Sequence, residues 1–149
     1  MSPEACLVCR EVRGEVEVPG GPVVADDLIV VFHVPPLPDR PLPYLGHLLV
    51  VPRRHTPGLG ELSDEEAAAM GLALGRASRA LRRREGVERV YSAVIGHHVD
   101  HLHVHLLPRY AGTPPDVPWT AVDEWEGGPH GGAAEIADVV AELRAHLAA

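Results

Sequence analysis

Lysine, asparagine and glutamine are absent from the whole 149-residue chain. Schiff-base lysines, a phosphate-loop lysine and N-linked glycosylation are thereby excluded, and acid–base work falls to His, Asp, Glu or Tyr. All 13 cationic side chains are arginine, against 21 carboxylates, which sets the net charge at −8. A binder of duplex nucleic acid or of an anionic membrane normally shows the opposite sign or a dense basic stripe. The one basic cluster, Arg76, Arg79, Arg82, Arg83 and Arg84, falls in a predicted helix beside Asp64, Glu65, Glu66 and Glu85 and reads as a solvated face. No apolar run reaches the length of a membrane span, and the N-terminus is acidic rather than signal-like. The expectation is a cytoplasmic protein with neither bulk nucleic acid nor membrane as partner. Cysteine is scarce as well, and Cys6 and Cys9 are too close in sequence to staple a fold of this size, which leaves metal binding or redox chemistry for them.

What the chain does contain is proline, glycine and histidine, at 15, 15 and 10 residues, which predicts long loops around a single domain. Strand-like segments are read at Gly14–Val18 and Leu28–Val34, joined by the turn Pro19-Gly20-Gly21-Pro22 into a hairpin. A proline-rich connector from Pro35 to Pro43 precedes a third strand at His47–Val51. Ser63-Asp64-Glu65-Glu66 has the capping-box pattern, and Met70, Leu74, Ala77 and Leu81 recur at helical spacing up to Gly86. Val87–Ile95 and Leu102–Leu107 are two more strands, the second closed by Pro108. Residues 111–132 lack periodicity and read as an extended tail or lid carrying Trp119 and Trp125, and a last amphipathic helix begins near Ala133. The fold class is α+β: an antiparallel five-stranded sheet with a packed long helix and a C-terminal helix.

Five of the ten histidines lie between positions 97 and 105. His101, His103 and His105 alternate with Leu102 and Val104, so on a strand the three imidazoles share one face, about 6.5–7 Å apart. An imidazole is largely unprotonated near neutral pH and is a good nucleophile toward phosphorus, while its neighbours can hydrogen-bond phosphoryl oxygens or pass a proton to a leaving group. Such chemistry requires no catalytic metal.

His101-Leu102-His103-Val104-His105-Leu106-Leu107, extended by Pro108-Arg109-Tyr110, resembles the signature of the histidine triad family. Gly46-His47-Leu48-Leu49-Val50-Val51-Pro52-Arg53-Arg54-His55 is similar to the family's second conserved segment, and with Cys6-Leu7-Val8-Cys9 the resemblance spans residues 6–110. It implies a histidine triad domain over residues 1–110; residues 111–149, which the resemblance does not reach, are read from their own pattern as a loop-and-helix extension of the same domain. The resemblance also implies that His103 attacks the α-phosphorus of a small-molecule nucleotide to form a nucleotidyl-histidine. His105 then contacts the phosphate and assists the leaving group, and His47 orients or relays protons. In the family's zinc-containing branch, Cys6, Cys9, His55 and His101 would hold a structural zinc. Spectator thiols and a redox pair are the alternatives for the cysteines. Homodimerisation is implied on the same ground.

Two departures stand out. Where many members carry Gly-Gln-Ser, this chain reads Gly96-His97-His98, so His98 occupies the position that contacts phosphate or leaving group, unless both histidines are simply exposed loop residues. The acid that binds ribose is replaced by Val34, with Asp39 in the connector as its candidate substitute and Phe32, Ile29 and Val30 as candidate pocket walls or core residues. The resulting expectation is a nucleotidyl hydrolase or transferase cleaving a phosphoramidate, a dinucleoside polyphosphate or a related bond. A non-catalytic nucleotide-binding module and a zinc-dependent redox or metal-storage protein are the competing classes.

Overall fold

The computed structural model describes residues 2–148. The elements are α1 (Leu7–Val12), β1 (Val24–Ala25), β2 (Ile29–His33), β3 (Leu48–Pro52), α2 (Asp64–Arg82), β4 (Val87–Val94), β5 (Val104–Tyr110) and α3 (Ala133–Ala148), with short 3-10 helices at Leu59–Glu61 and Trp119–Glu124. The strands form one antiparallel sheet in the order β1-β2-β3-β5-β4, giving the α+β architecture read from the sequence. Among the described residues no helix is long and apolar enough to cross a membrane.

Strand parity sorts the side chains into two layers. Ile29, Val31, Leu48, Val50, Val104 and Leu106 face α2 and α3, where Met70, Ala77, Leu81, Ile136, Val140 and Leu143 complete the main core. Val30, Phe32 and Val51 face the opposite side and are covered by Cys6, Val8 and Cys9 around α1. The capping box is realised: the Ser63 hydroxyl accepts from the Glu66 N–H, and the Glu66 carboxylate accepts from the Ser63 N–H. In α3 the buried positions Ile136, Val139, Val140 and Leu143 are those of the amphipathic pattern. Arg84 ties the layers together by donating to the Tyr110 hydroxyl at 2.9 Å and pairing with Glu142 of α3.

Three sequence expectations need correction. Gly14–Val18 is not a strand. The preceding residues form α1 instead, capped by the Cys6 sulfur, which accepts from the Cys9 N–H, and the chain leaves it through Gly14 at φ +77°. The first hairpin is β1–β2, reversed at Asp26, whose carboxylate accepts from the Leu28 and Ile29 amides at 2.7 Å. The last strand starts at Val104 rather than Leu102, because the Leu102 N–H donates to the Thr56 carbonyl at 2.7 Å instead of entering the ladder. Pro108 does not close that strand but lies inside it. β3 pairs only as far as Leu106, so on that flank Pro108 has no neighbour that needs an N–H.

His33 and Gly46 set the path into β3. The His33 ring is fully buried; its Nδ1–H donates to the Val34 carbonyl at 2.8 Å, and its Nε2 accepts from the Gly46 N–H at 2.9 Å. A Cβ at Gly46, where φ is +95°, would lie 2.8 Å from Pro108 and 2.9 Å from the Tyr110 hydroxyl, so only glycine allows this approach. Burial, aided by the charge of Arg84, pushes the His33 pKa down to about 4. The stability held by neutral His33 is present above the unfolded pKa near 6.5 and is lost as the pH falls through that value toward 4. From pH 7.5 to 5 it accounts for about 2 kcal/mol. His33→Gln, which keeps an acceptor for Gly46, is expected to flatten the pH dependence of urea unfolding by that amount, and an unchanged slope would contradict the assignment.

Candidate active site

The sheet register places the imidazoles. Phe32 of β2, Leu49 of β3, His105 of β5 and Ala93 of β4 pair across the sheet in one row, on the face away from α2 and α3. His47 precedes β3 and is buried at 4% exposure; its Nε2 lies 2.8 Å from His105 Nδ1. The ring centroids of His103 and His105 are 5.0 Å apart. His103 itself precedes β5. Its Nδ1–H donates to the His101 carbonyl at 2.7 Å, which leaves Nε2 as the basic nitrogen of the neutral ring.

The electrostatics lower the proton affinity of the neighbouring rings. Burial holds His47 well below the ordinary imidazole range, reinforced by the charges of His105, His33, Arg40 and His103. Burial also lowers His105, with His103 and Arg40 acting in the same direction and the Asp123 carboxylate opposing them. His47 Nδ1 is buried without a hydrogen-bond partner, and an Asp123 carboxylate oxygen lies 4.0 Å away. Arrayed this way, the three rings offer one nucleophilic nitrogen and a ring pair able to hold and move a proton.

Next to the row lies a cluster that could hold a metal ion. The ligand atoms of Cys6, Cys9, His55 and His101 all fall within 4.8 Å of one another. Nδ1 of His101 is 3.6 Å from the Cys6 sulfur and 3.3 Å from the Cys9 sulfur, and Nδ1 of His55 is 3.3 Å from the Cys9 sulfur. Tetrahedral coordination with ordinary zinc–sulfur and zinc–nitrogen bonds requires sulfur–nitrogen separations of about 3.6 Å, so the four groups fit such an ion. The Nε2–H of His101 donates to the Pro52 carbonyl at 2.8 Å, turning the lone pair of Nδ1 toward the thiols. Arg54 grips the Glu66 carboxylate at 2.9 and 2.8 Å and fixes the segment that carries His55.

On the same side of the sheet a cavity of about 360 Å³ opens beside Val30 and Phe32, walled by Glu11, Val12, Val18 and Arg53. Phe32 lines this cavity and also belongs to the core layer beneath α1, whereas Ile29 points the other way into the main core. Asp39 is exposed in the connector and does not line the cavity, and His98 is exposed beside His97, with ring centroids 4.6 Å apart. Two groups went unnoticed in the sequence, Glu11 and Asp123. The alternation of small and charged residues around the cysteines hides the first, and the second lies in an aperiodic segment.

A small α+β protein with a packed row of imidazoles at the mouth of a sheet strand is the class these features define. The HIT domain family model matches residues 17–112. An uncharacterized HIT-like protein of Methanocaldococcus jannaschii is 30% identical over 111 residues, covering 72% of this chain and 81% of that protein. The adenylylsulfatase HINT3 of Arabidopsis thaliana is 29% identical over 109 residues, covering 70% of this chain and 52% of that protein. Among solved structures, a zinc-bound histidine triad family protein from Mycobacterium smegmatis has the same fold, with a TM-score of 0.71 at 22% identity over 99% of this chain and 96% of that one. The chain belongs to the histidine triad (HIT) family. Membership brings, at the level of class, nucleotide hydrolase or transferase chemistry on small nucleotide substrates.

Glu11 is 8% exposed. Burial raises its carboxyl pKa to about 7, so the neutral form is favoured and stability is lost as the pH rises through that value. Glu11→Gln is expected to gain about 2 kcal/mol over the parent between pH 5 and 8.5 in denaturant unfolding. Parallel pH profiles for the two proteins would refute the burial effect.

Proposed function

We propose that this protein is a nucleotidyl hydrolase or transferase that cleaves phosphoramidates, dinucleoside polyphosphates or related anhydrides at the nucleotide α-phosphorus. The observation that carries this reading is the His103 ring, whose Nδ1–H is committed to the His101 carbonyl and whose Nε2 is thereby left as nucleophile. As the bond from His103 Nε2 to phosphorus forms, the bond to the leaving group breaks, and a proton held by His105 passes to the departing atom. Water or another acceptor then attacks phosphorus, the phosphorus–nitrogen bond breaks, and the acceptor's proton returns to His105. His47, hydrogen-bonded to His105, orients that ring. The name of the Arabidopsis relative adds mixed anhydrides of the adenylyl sulfate type to the candidate substrates. The nucleoside is assigned to the cavity beside Phe32, on the face that carries His105. Asp39, Ile29 and His98 are not assigned contacts.

The ion assigned to Cys6, Cys9, His55 and His101 is zinc, on the fit of the four donors and the zinc-bound relative from Mycobacterium smegmatis. When bound it supplies a structural crosslink between the N-terminus and the segment leading into β5. Thiolate ligation of this kind belongs in a reducing compartment, which supports a cytoplasmic location. Residues 111–149 are read as an extension of the same domain, since α3 packs on α2 and β2. A homodimer through the β4 edge is supported by the exposure of Val94 and Ile95 at its end, 45% and 69% respectively.

His103→Ala is expected to lower kcat on a panel of AMP conjugates by at least about a thousandfold, with AMP affinity unchanged within threefold. Full turnover by the variant would remove the nucleophile, and absence of turnover in the parent would favour the binding-module reading. X-ray absorption of the purified protein is expected to show one zinc with two sulfur and two nitrogen neighbours. An all-nitrogen shell or several equivalents per chain would point to adventitious or storage binding.

A further inference from the structure

The C-terminal segment, outside the family-matched residues 17–112, delivers a carboxylate to the catalytic rings. The 3-10 helix Trp119–Glu124 packs against β5 and is anchored by Val122, which is fully buried. The next residue, Asp123, is confined: its side chain is 12% exposed, 4.0 Å from His47 Nδ1 and 3.4 Å from an Arg40 nitrogen. His130 Nε2 lies 3.2 Å from its carbonyl. The groups that face the His47–His105 pair are His33 from β2, Arg40 from the connector, His103 from the approach to β5, and Asp123. Asp123 is the one anion among them.

His47 Nδ1 is buried and has no hydrogen-bond partner, so the position of the ring proton governs the pair. With the proton on Nε2, a desolvated Nδ1 lone pair would face a carboxylate, and two electron-rich groups would be opposed in a dry site. With the proton on Nδ1, the positive end of the N–H dipole lies on the nitrogen that is 4.0 Å from the carboxylate, and Nε2 is free to accept from His105 Nδ1–H at 2.8 Å. That arrangement leaves Nε2 of His105 to pick up the proton that the leaving group later takes.

We propose that Asp123 is a positioning residue of the reaction centre: its carboxylate fixes His47 as the Nδ1–H tautomer and, through His47, supports the proton that His105 delivers. The kinetic consequence rests on the function proposed above, whereas the tautomer does not. No other co-reactant is needed, since the proton leaves His105 with the departing group and is regained from water. Arg40 acts against Asp123, its cation disfavouring charge on the same ring pair while it shares the carboxylate.

Histidine ring 15N spectra of the full chain test the tautomer without any substrate. In the parent protein His47 is expected to be protonated at Nδ1, and in Asp123→Asn this preference is expected to fall. An Nε2–H tautomer in the parent, or no change in the variant, overturns the proposal. Turnover supplies a second readout with two AMP conjugates, one releasing a basic amine that must be protonated and one releasing p-nitrophenolate, which leaves without a proton. Asp123→Asn is expected to reduce kcat at least tenfold on the amine conjugate and less than twofold on the nitrophenyl ester, with KM unchanged. Asp123→Glu should restore part of the loss. On the amine conjugate the alkaline limb of kcat is expected to move to lower pH in Asp123→Asn and to higher pH in Arg40→Ala. Equal losses on both conjugates, or limbs moving together in both variants, would mark Asp123 as merely structural and overturn the proposal. If the parent turns over neither conjugate, the functional reading fails, and the 15N spectra still decide the place of Asp123.

Discussion

One carbonyl oxygen, that of His101, sets which nitrogen of His103 is basic. It accepts the Nδ1–H at 2.7 Å and so leaves the lone pair on the other ring nitrogen, the one proposed to react. The side chain of the same residue is fully buried and held at both ends, with Nδ1 facing the two thiols and Nε2–H bound to the Pro52 carbonyl. Residue 101 thus joins the four-residue cluster to His103, the proposed nucleophile, through a single backbone unit. A shift of the cluster would be felt at His103 as a turn of its ring rather than as a loss of contact, which is how supporting groups commonly influence a reactive one. The neighbouring Leu102 amide, bound to Thr56, holds this unit against the segment carrying His55.

Burial lowers the proton affinity of the imidazoles beside His103, and they are packed by a fold that needs them in fixed tautomers. His33 offers the clearest case, since its two ring nitrogens are both engaged by backbone and it takes no part in the proposed chemistry. It shapes the turn that delivers His47. A buried neutral ring costs little when both nitrogens are satisfied, whereas His47 has one satisfied nitrogen and one that faces a carboxylate. The difference separates a structural histidine from the one proposed to take part in proton transfer.

Much of this was legible in the chain because local signals and burial agreed. The reciprocal Ser63–Glu66 cap and the periodicity of α2 and α3 could be read directly, and the alternation through Leu102, Val104 and Leu106 predicted the apolar face of the triad segment. Other features had no local signal. α1 is six residues long and capped by a cysteine sulfur, and β1 is two residues long, so neither has room for a period. Every residue of β2 is buried because the sheet is covered on both faces there, and uniform apolarity carries no parity. Hence the sequence does not distinguish Ile29 from Phe32, although they point to opposite sides. Pro108 suggested an end where the ladder simply lacks a partner on one flank. Glu11 and Asp123 acquire significance only through tertiary placement, one at a cavity wall and the other against a buried ring.

The central claim is that His103 Nε2 becomes covalently attached to the nucleotide phosphorus during turnover. Rapid acid-free quenching with an AMP conjugate, followed by proteolysis and mass analysis, tests it directly. The account predicts an acid-labile adenylyl mass on His103, in the peptide spanning His101–Arg109, that appears and decays within one turnover. Sustained turnover with no adduct, or with the adduct on another residue, would contradict it.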